Sequence, residues 1–111
     1  MENNFYLYKA KITDVYDGDT CTAEVDLGFG IKFKMKLRLK DIDTPEIRGE
    51  ERPEGLRVRD LVREMILGKE VIIESFKDRT GMYGRYLADI YIDDLHLNKW
   101  LLDTGNATPY V

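Results

Sequence analysis

The chain has 111 residues, a formal net charge of −4 and 43% hydrophobic residues. This length suits a single domain over residues 1–111, and the hydrophobic content is enough for one core, which excludes a disordered chain. Cys21 is the only cysteine, which excludes an internal disulfide, and we expect it to be a small strand residue. The acidic balance excludes a surface that is basic throughout, so any cationic patch must be local.

No apolar segment is long enough to span a bilayer, and residues 1–10 lack the basic start and apolar stretch of a signal peptide. We therefore expect a cytoplasmic, monomeric protein that does not bind membranes. Secretion is the alternative if the N-terminus is processed.

The first predicted elements are three strands. Residues 5–15 and 20–27 have strand composition and are separated by a turn at residues 17–19, and residues 28–30 predict a hairpin. Residues 31–39 alternate strictly, with apolar residues at odd positions and lysine or arginine at even positions. This alternation predicts a third strand with one buried face.

In the second half of the chain, the spacing of the apolar residues changes from every second residue to every third or fourth. Apolar residues spaced three and four apart predict a helix, namely Val58, Leu61, Val62, Met65 and Ile66. In chain order we predict a polar loop (41–54), this helix (55–67), a fourth strand (70–76), a loop (77–84), a fifth strand (85–92) and a short helix (97–104). The order predicts a mainly β fold with α: a five-stranded Greek-key OB-fold barrel with a helix between strands three and four and a short C-terminal helix.

Charged residues gather at the ends of the predicted strands, among them Asp19, Asp43, Glu46 and Arg38. Each alone has an ordinary structural explanation. An aspartate in a glycine-containing turn bonds its own backbone, and an arginine on a strand face is usually solvated. Their spacing alone supports only a generic metal site.

Three motifs together resemble the signature blocks of the staphylococcal nuclease (thermonuclease) family. They are Asp17-Gly18-Asp19-Thr20, the segment from Arg38 to Glu46, and Tyr83-Gly84-Arg85 followed by Leu87-Ala88. The resemblance covers about residues 10–107, and the spacing of Arg38, Asp43 and Glu46 agrees with the family.

The resemblance implies a nuclease that binds one Ca²⁺ and hydrolyses phosphodiester bonds of DNA or RNA, leaving 3′-phosphates. Asp19 and Asp43 would supply carboxylate oxygens to Ca²⁺, and Thr44 its backbone carbonyl, which is the all-oxygen coordination that this cation prefers. Glu46 would deprotonate the attacking water as general base.

The resemblance also implies residues that contact the substrate, a single-stranded DNA or RNA. Arg38 and Arg85 would stabilise the negative charge of the transition state with planar guanidinium groups. Tyr83 would contact the terminal phosphate, and Tyr110 would stand in for the family's base-stacking tyrosine. Beside these implied roles, the strand face shared with Arg38 suggests further phosphate contacts from Lys32, Lys34 and Lys36; the alternative is a solvated face with no partner.

Other features limit this interpretation. Gly81-Met82 stands where the family commonly has Asp-Lys, which predicts weaker nucleotide binding. We expect His96 to have a surface role and Trp100 to anchor the core. The alternative function is a non-catalytic OB module that binds single-stranded nucleic acid or a protein partner. The presence of Asp43, Glu46 and both arginines favours the enzyme.

Overall fold

The structure, a computed structural model, describes residues 5–77 and 86–110. The strands are β1 (Leu7–Asp17), β2 (Thr20–Asp26), β3 (Lys32–Leu39), β4 (Ile42–Asp43), β5 (Glu70–Lys77), β6 (Tyr86–Ile92), β7 (Leu95–His96) and β8 (Thr108–Pro109). The helices are α1 (Arg52–Ile66), preceded by a 3-10 turn (Gly49–Glu51), and α2 (Leu97–Asp103). None of the helices within the described ranges combines the length and apolarity needed to cross a bilayer.

Five strands close into a barrel. β1 pairs antiparallel with β2 and β5, β2 pairs with β3, and β5 pairs with β6. The barrel closes through a short parallel pairing of β3 with β6, from Leu37 opposite Tyr86 to Leu39 opposite Ala88. This is the strand order of an OB fold, so the predicted fold class is confirmed.

Alternating residues of the barrel strands and one face of each helix form the core. The apolar positions predicted for α1 do face inward: Val58, Val62 and Ile66 are buried. The helix begins at Arg52, three residues before the predicted start, with Pro53 in its first turn, where a missing N–H costs no hydrogen bond. α2 buries Leu97 and Leu101.

The prediction of one buried face along the third strand is wrong for its first half. Leu37 and Leu39 are buried, but Ile31 and Phe33 are 53% and 54% exposed. The reason is that the barrel closes only over Leu37 to Leu39, so the earlier part of β3 extends with its hairpin beyond the core.

Two single residues have the structural roles expected of them. Cys21 is buried on β2, and burial raises the pKa of its thiol to about 12, with smaller contributions from Asp14 and Asp17. Trp100 is partly buried and packs against the core.

Asn98 connects α2 to the barrel through buried hydrogen bonds. Its Oδ1 accepts from the backbone N–H of Ile90 at 3.1 Å, and its Nδ2 donates to the carbonyls of Lys40 and Ala88 at 3.1 and 3.0 Å. The side chain therefore satisfies backbone groups of β6 and of the turn that follows β3.

We predict that Asn98→Ala lowers the free energy of unfolding by about 3 kcal/mol, because it leaves buried backbone donors and acceptors unpaired. Urea unfolding measures this change. Lys99→Ala is the matched control on the same helix. It removes only an exposed ion pair with Asp103 and should cost at most about 0.5 kcal/mol. Equal losses for the two variants would contradict the role of Asn98.

Candidate active site

A cavity of about 370 Å³ lies between the β1–β2 turn, β3 and the segment that follows β3. Its charged lining residues are Asp14, Asp17, Asp19, Asp43, Glu46, Lys36 and Arg38. A larger cavity of about 440 Å³ is apolar, and none of its described lining residues is acidic. The charged groups suited to phosphodiester chemistry therefore meet in the smaller cavity, called here the acidic cavity.

Asp19 connects two of the sequence motifs within the acidic cavity. Its side chain is buried; Oδ2 accepts the backbone N–H of Thr44 at 3.0 Å, and Oδ1 accepts the Thr20 hydroxyl at 3.2 Å. Because Thr44 directly follows Asp43, the bond from Asp19 brings the two predicted metal-binding aspartates to one place.

Arg38 lies between these two carboxylates. Its Nη2 is 3.6 Å from Asp19 Oδ2 and 3.5 Å from Asp43 Oδ1. Its Nη1 donates to the carbonyls of Leu39 and Ile42 at 3.1 and 2.9 Å. The Arg38 side chain is only 14% exposed. Its guanidinium offsets the negative charge of the two aspartates and holds the turn that carries Asp43.

Tyr110 also lies at Arg38. The pairing of β4 with β8 brings the C-terminal segment to the site, and the Tyr110 N–H donates to Asp41 O at 3.0 Å. Arg38 Cζ is 4.7 Å from the centroid of the Tyr110 ring, a cation–π contact. The ring remains 60% exposed, so it still offers surface to a ligand.

α1 approaches the loop of Glu46 so closely that only glycine fits. A Cβ built on Gly55 would lie 2.0 Å from Glu46 O, and a Cβ on Gly18 would lie 2.7 Å from Val58 Cγ1. The helix therefore packs directly against the backbone of the β1–β2 turn and of the Glu46 segment. The Glu46 side chain itself is exposed and lines the acidic cavity.

Asp17 is a residue of this cavity that sequence reasoning assigned only to a turn. Its Oδ1 accepts the N–H of Asp19 at 3.1 Å. Burial, a side-chain hydrogen bond with Asp19 and the charge of Asp19 together raise the pKa of Asp17 to about 7, although the bond from the Asp19 backbone N–H lowers it. The sequence feature that could have predicted Asp17 as a site residue is its position in the same Asp-Gly-Asp-Thr motif as Asp19.

The site has the donor set of a hard cation. Burial raises the pKa of Asp43, and the charge of Asp19 adds to this, while Arg38 opposes it. A cation would relieve this repulsion. Within residues 5–77 and 86–110, no three His, Cys, Asp or Glu side chains converge as metal ligands. Asp19 and Asp43 are the carboxylates of the site that could hold such a cation, together with the neighbouring Thr44 carbonyl.

The other residues predicted for the site include three lysines of β3 and two residues that the structure does not describe. Lys32, Lys34 and Lys36 are exposed on β3, and Lys36 lines the cavity. Tyr83 and Arg85 lie outside the described residues. His96 does not line the cavity; it lies in β7, with Nε2 2.9 Å from Asp89 Oδ1 and its ring stacked on Tyr91.

The fold and the cavity define an OB-fold protein with an acidic site built around an arginine. The chain belongs to the family of staphylococcal nuclease homologues, which it matches over residues 36–111.

Individual relatives share about a third of their aligned residues with this chain. Two probable staphylococcal-like nucleases of Oryza sativa subsp. japonica are each 32% identical over 74 residues, which is 67% of this chain and 18% and 19% of those proteins. An uncharacterized protein of Methanocaldococcus jannaschii is 29% identical over 129 aligned positions, covering 94% of this chain and 60% of that protein. The chain thus spans less than two thirds of the length of each relative.

We predict that Gly55→Ala lowers the free energy of unfolding by about 1–3 kcal/mol, the usual cost of overpacking. The added methyl group must push the Glu46 backbone away. Glycine to alanine in an unobstructed helix interior instead stabilises by up to about 1 kcal/mol. Urea unfolding distinguishes the two outcomes, with Glu64→Ala on the exposed face of α1 as control. A stabilised Gly55→Ala protein would refute the close approach.

Proposed function

We propose that this domain is a calcium-dependent nuclease that hydrolyses phosphodiester bonds of single-stranded DNA or RNA and leaves 3′-phosphates. The observation that carries the proposal is the convergence of Asp19, Asp43 and Arg38 in one cavity. Carboxylates that can hold a cation and a guanidinium that can bind a phosphate are groups that promote phosphodiester hydrolysis. Membership of the nuclease-homologue family supports nucleic acid as the substrate class.

The proposed reaction assigns different roles to different residues of the chain. Asp19, Asp43 and the Thr44 carbonyl would hold Ca²⁺, which would supply a positive charge to polarise the phosphate. Glu46, like Asp14, is an exposed carboxylate of the cavity, so it can meet water, and it takes the proton of the attacking water. The backbone of Glu46 lies directly against α1 at Gly55.

Arg38 stabilises the negative charge that develops on the phosphate. Its distances to Asp19 and Asp43, 3.6 and 3.5 Å, are long for charge-assisted hydrogen bonds. The Nη2 donors therefore remain available to a phosphate oxygen. Arg85 supplies the second guanidinium, and Tyr83 contacts the terminal phosphate.

Nucleotides on either side of the scissile phosphate meet Tyr110 and the lysines of β3. One face of the Tyr110 ring lies on Arg38, and its exposed surface can stack on a base. Lys32, Lys34 and Lys36 bind successive phosphates from the same strand that carries Arg38.

A second candidate is a non-catalytic OB module that binds single-stranded nucleic acid or a protein partner. The observation that favours it is the use of Arg38 Nη1 to hold two backbone carbonyls, which is a structural role. An assay of cleavage with the intact domain separates the two functions.

We predict that the wild-type protein converts denatured DNA or RNA to acid-soluble product with calcium but not with chelator. Glu46→Gln should reduce turnover by about 10²-fold or more while keeping most of the calcium affinity, because only the general base is lost. Asp43→Asn should weaken calcium binding and turnover together. Calcium titration beside the cleavage assay measures both quantities.

Glu50→Gln is the control for these variants, since it removes an exposed carboxylate that does not line the acidic cavity. A wild-type protein that binds calcium and cleaves neither DNA nor RNA would favour the binding module. Normal cleavage by Glu46→Gln would show that another group activates the water.

We predict that Arg38→Lys reduces turnover by about 10²-fold or more, about 3 kcal/mol, because a lysine cannot reproduce the planar fork. The variant also loses the Nη1 bonds to the carbonyls of Leu39 and Ile42. Its free energy of unfolding, measured with urea, should therefore be lower by about 1–3 kcal/mol. Turnover is measured at a temperature where circular dichroism shows a folded variant. Arg57→Lys, on the surface of α1, is the control. A destabilised Arg38→Lys protein with normal turnover would make the residue purely structural.

A further inference from the structure

Exposed apolar residues concentrate at the end of the barrel that carries the β2–β3 hairpin. Ala10 of β1 is opposite Val25 of β2, so the residues before Ala10 and those after Val25 lie side by side at this end. Within the described ranges, seven of the eleven exposed large hydrophobic residues lie here, three in residues 5–7 and four in residues 27–33. This region is called here the hairpin end.

The inner side of the hairpin borders the apolar cavity of about 440 Å³. Phe33 is opposite the buried Val25 in the β2–β3 register, so both side chains lie on the inner side of the sheet. The backbone N–H of Leu27 donates to Ile31 O at 2.9 Å, and this pair continues the same side toward the tip. The described residues that line the cavity include Tyr6, Tyr8, Leu27, Phe33, Met35 and Tyr86. The hairpin and the barrel opening thus form one continuous apolar surface.

Phe29 forms the tip of the hairpin. It is fully exposed, and its backbone is left-handed with φ of 55°, between Gly28 and Gly30, which also have positive φ. A bulky side chain is uncommon in this conformation, which glycine or asparagine adopts at lower cost. A fully exposed side chain adds nothing to the core of its own chain, so the folded monomer does not account for a phenylalanine here.

The apolar surface of the hairpin end is large enough for a stable interface. Five exposed residues border the cavity or continue its apolar wall to the tip, with exposed fractions from 41% to 101%: Tyr6, Leu27, Phe29, Ile31 and Phe33. At about 150–250 Å² for a large side chain, they present roughly 500–700 Å² of largely apolar surface. A stable interface takes about 800 Å² from each partner, and a little over half of it is apolar.

We propose that the hairpin end is the two-fold interface of a homodimer, in which Phe29 of each copy enters the apolar cavity of the other. A two-fold interface needs one patch that is complementary to itself, and this patch has both a projecting aromatic side chain and a cavity that can receive one. Charged groups do not oppose the contact. Asp26 and Lys32 pair on the other side of the hairpin, and Lys77, the only charged residue among the described lining of the cavity, is exposed.

The hairpin end and the acidic cavity lie at opposite ends of β2 and β3. Thr20 is opposite Arg38 beside the acidic cavity, whereas Asp26 is opposite Lys32 next to the hairpin. The seven residues of β2 separate the two regions by about 20 Å. A dimer formed through the hairpin end therefore leaves both acidic cavities open, and the proposal does not depend on the nuclease function.

Sedimentation velocity without nucleic acid or added metal tests the proposal. The mass should rise from the 13.0 kDa of one chain toward twice that value as the protein concentration increases. Concentrations from about 1 to 200 µM cover the range in which a weak interface of standard size associates. Phe29→Asn should raise the dissociation constant of the dimer by about 10²-fold or more, because two-fold symmetry removes the buried aromatic side chain twice. Asparagine is tolerated at positive φ, so the hairpin itself is preserved.

Phe29→Trp gives a second measurement, of burial at the tip. Its fluorescence emission, after subtraction of the wild-type signal from Trp100, should move to shorter wavelength as the dimer forms. An emission maximum that stays at the wavelength of a solvent-exposed tryptophan while the protein dimerises would show that the tip does not enter the partner, and would overturn the proposal.

Leu67→Asn is the matched control, because it removes another exposed hydrophobic residue, directly after α1, that lies outside the hairpin end. It should leave the dissociation constant unchanged, and circular dichroism shows that each variant is folded. A wild type that stays at 13.0 kDa throughout, as expected of a monomer, would overturn the proposal. So would a dimer that Phe29→Asn leaves intact, an equal weakening by Leu67→Asn, or Phe29-dependent binding of a monomer to phosphatidylcholine vesicles.

Discussion

The guanidinium of Arg38 is the group on which the acidic cavity depends. Burying Asp19 beside Asp43 and Asp17 is costly unless a positive charge lies among them, and Arg38 Nη2 lies within 3.6 Å of the first two. The same side chain binds the carbonyls of the turn after β3 and supports the Tyr110 ring. One guanidinium thus compensates charge through Nη2 and holds the turn through Nη1, so charge balance and backbone geometry depend on the same side chain.

Close approach of backbones is the second constraint. Gly18 and Gly55 leave room for α1 to lie directly against the β1–β2 turn and the Glu46 segment. The carboxylates of the cavity are therefore carried by backbone that the helix holds in place, while the Glu46 side chain stays in solvent.

The order of strands and helices was predictable because each element has its own local pattern. Strict alternation marked β3, spacing of three and four marked α1, and glycine-containing turns separated the strands. The prediction failed where burial depends on distant strands. Ile31 and Phe33 have the same alternation as Leu37 and Leu39, but only the latter pair lies where β6 closes the barrel.

By itself, the sequence determined the OB order of elements, the two motifs that carry Asp19, Asp43, Glu46 and Arg38, and the resemblance to the nuclease family. Only the tertiary structure decided that Asp17 shares the cavity and that Tyr110 lies on Arg38. The physical reason is the sequence separation between the residues that come into contact. A local pattern specifies which way a side chain faces, whereas the neighbours of that side chain depend on strand register and on barrel closure, which join residues far apart in the chain.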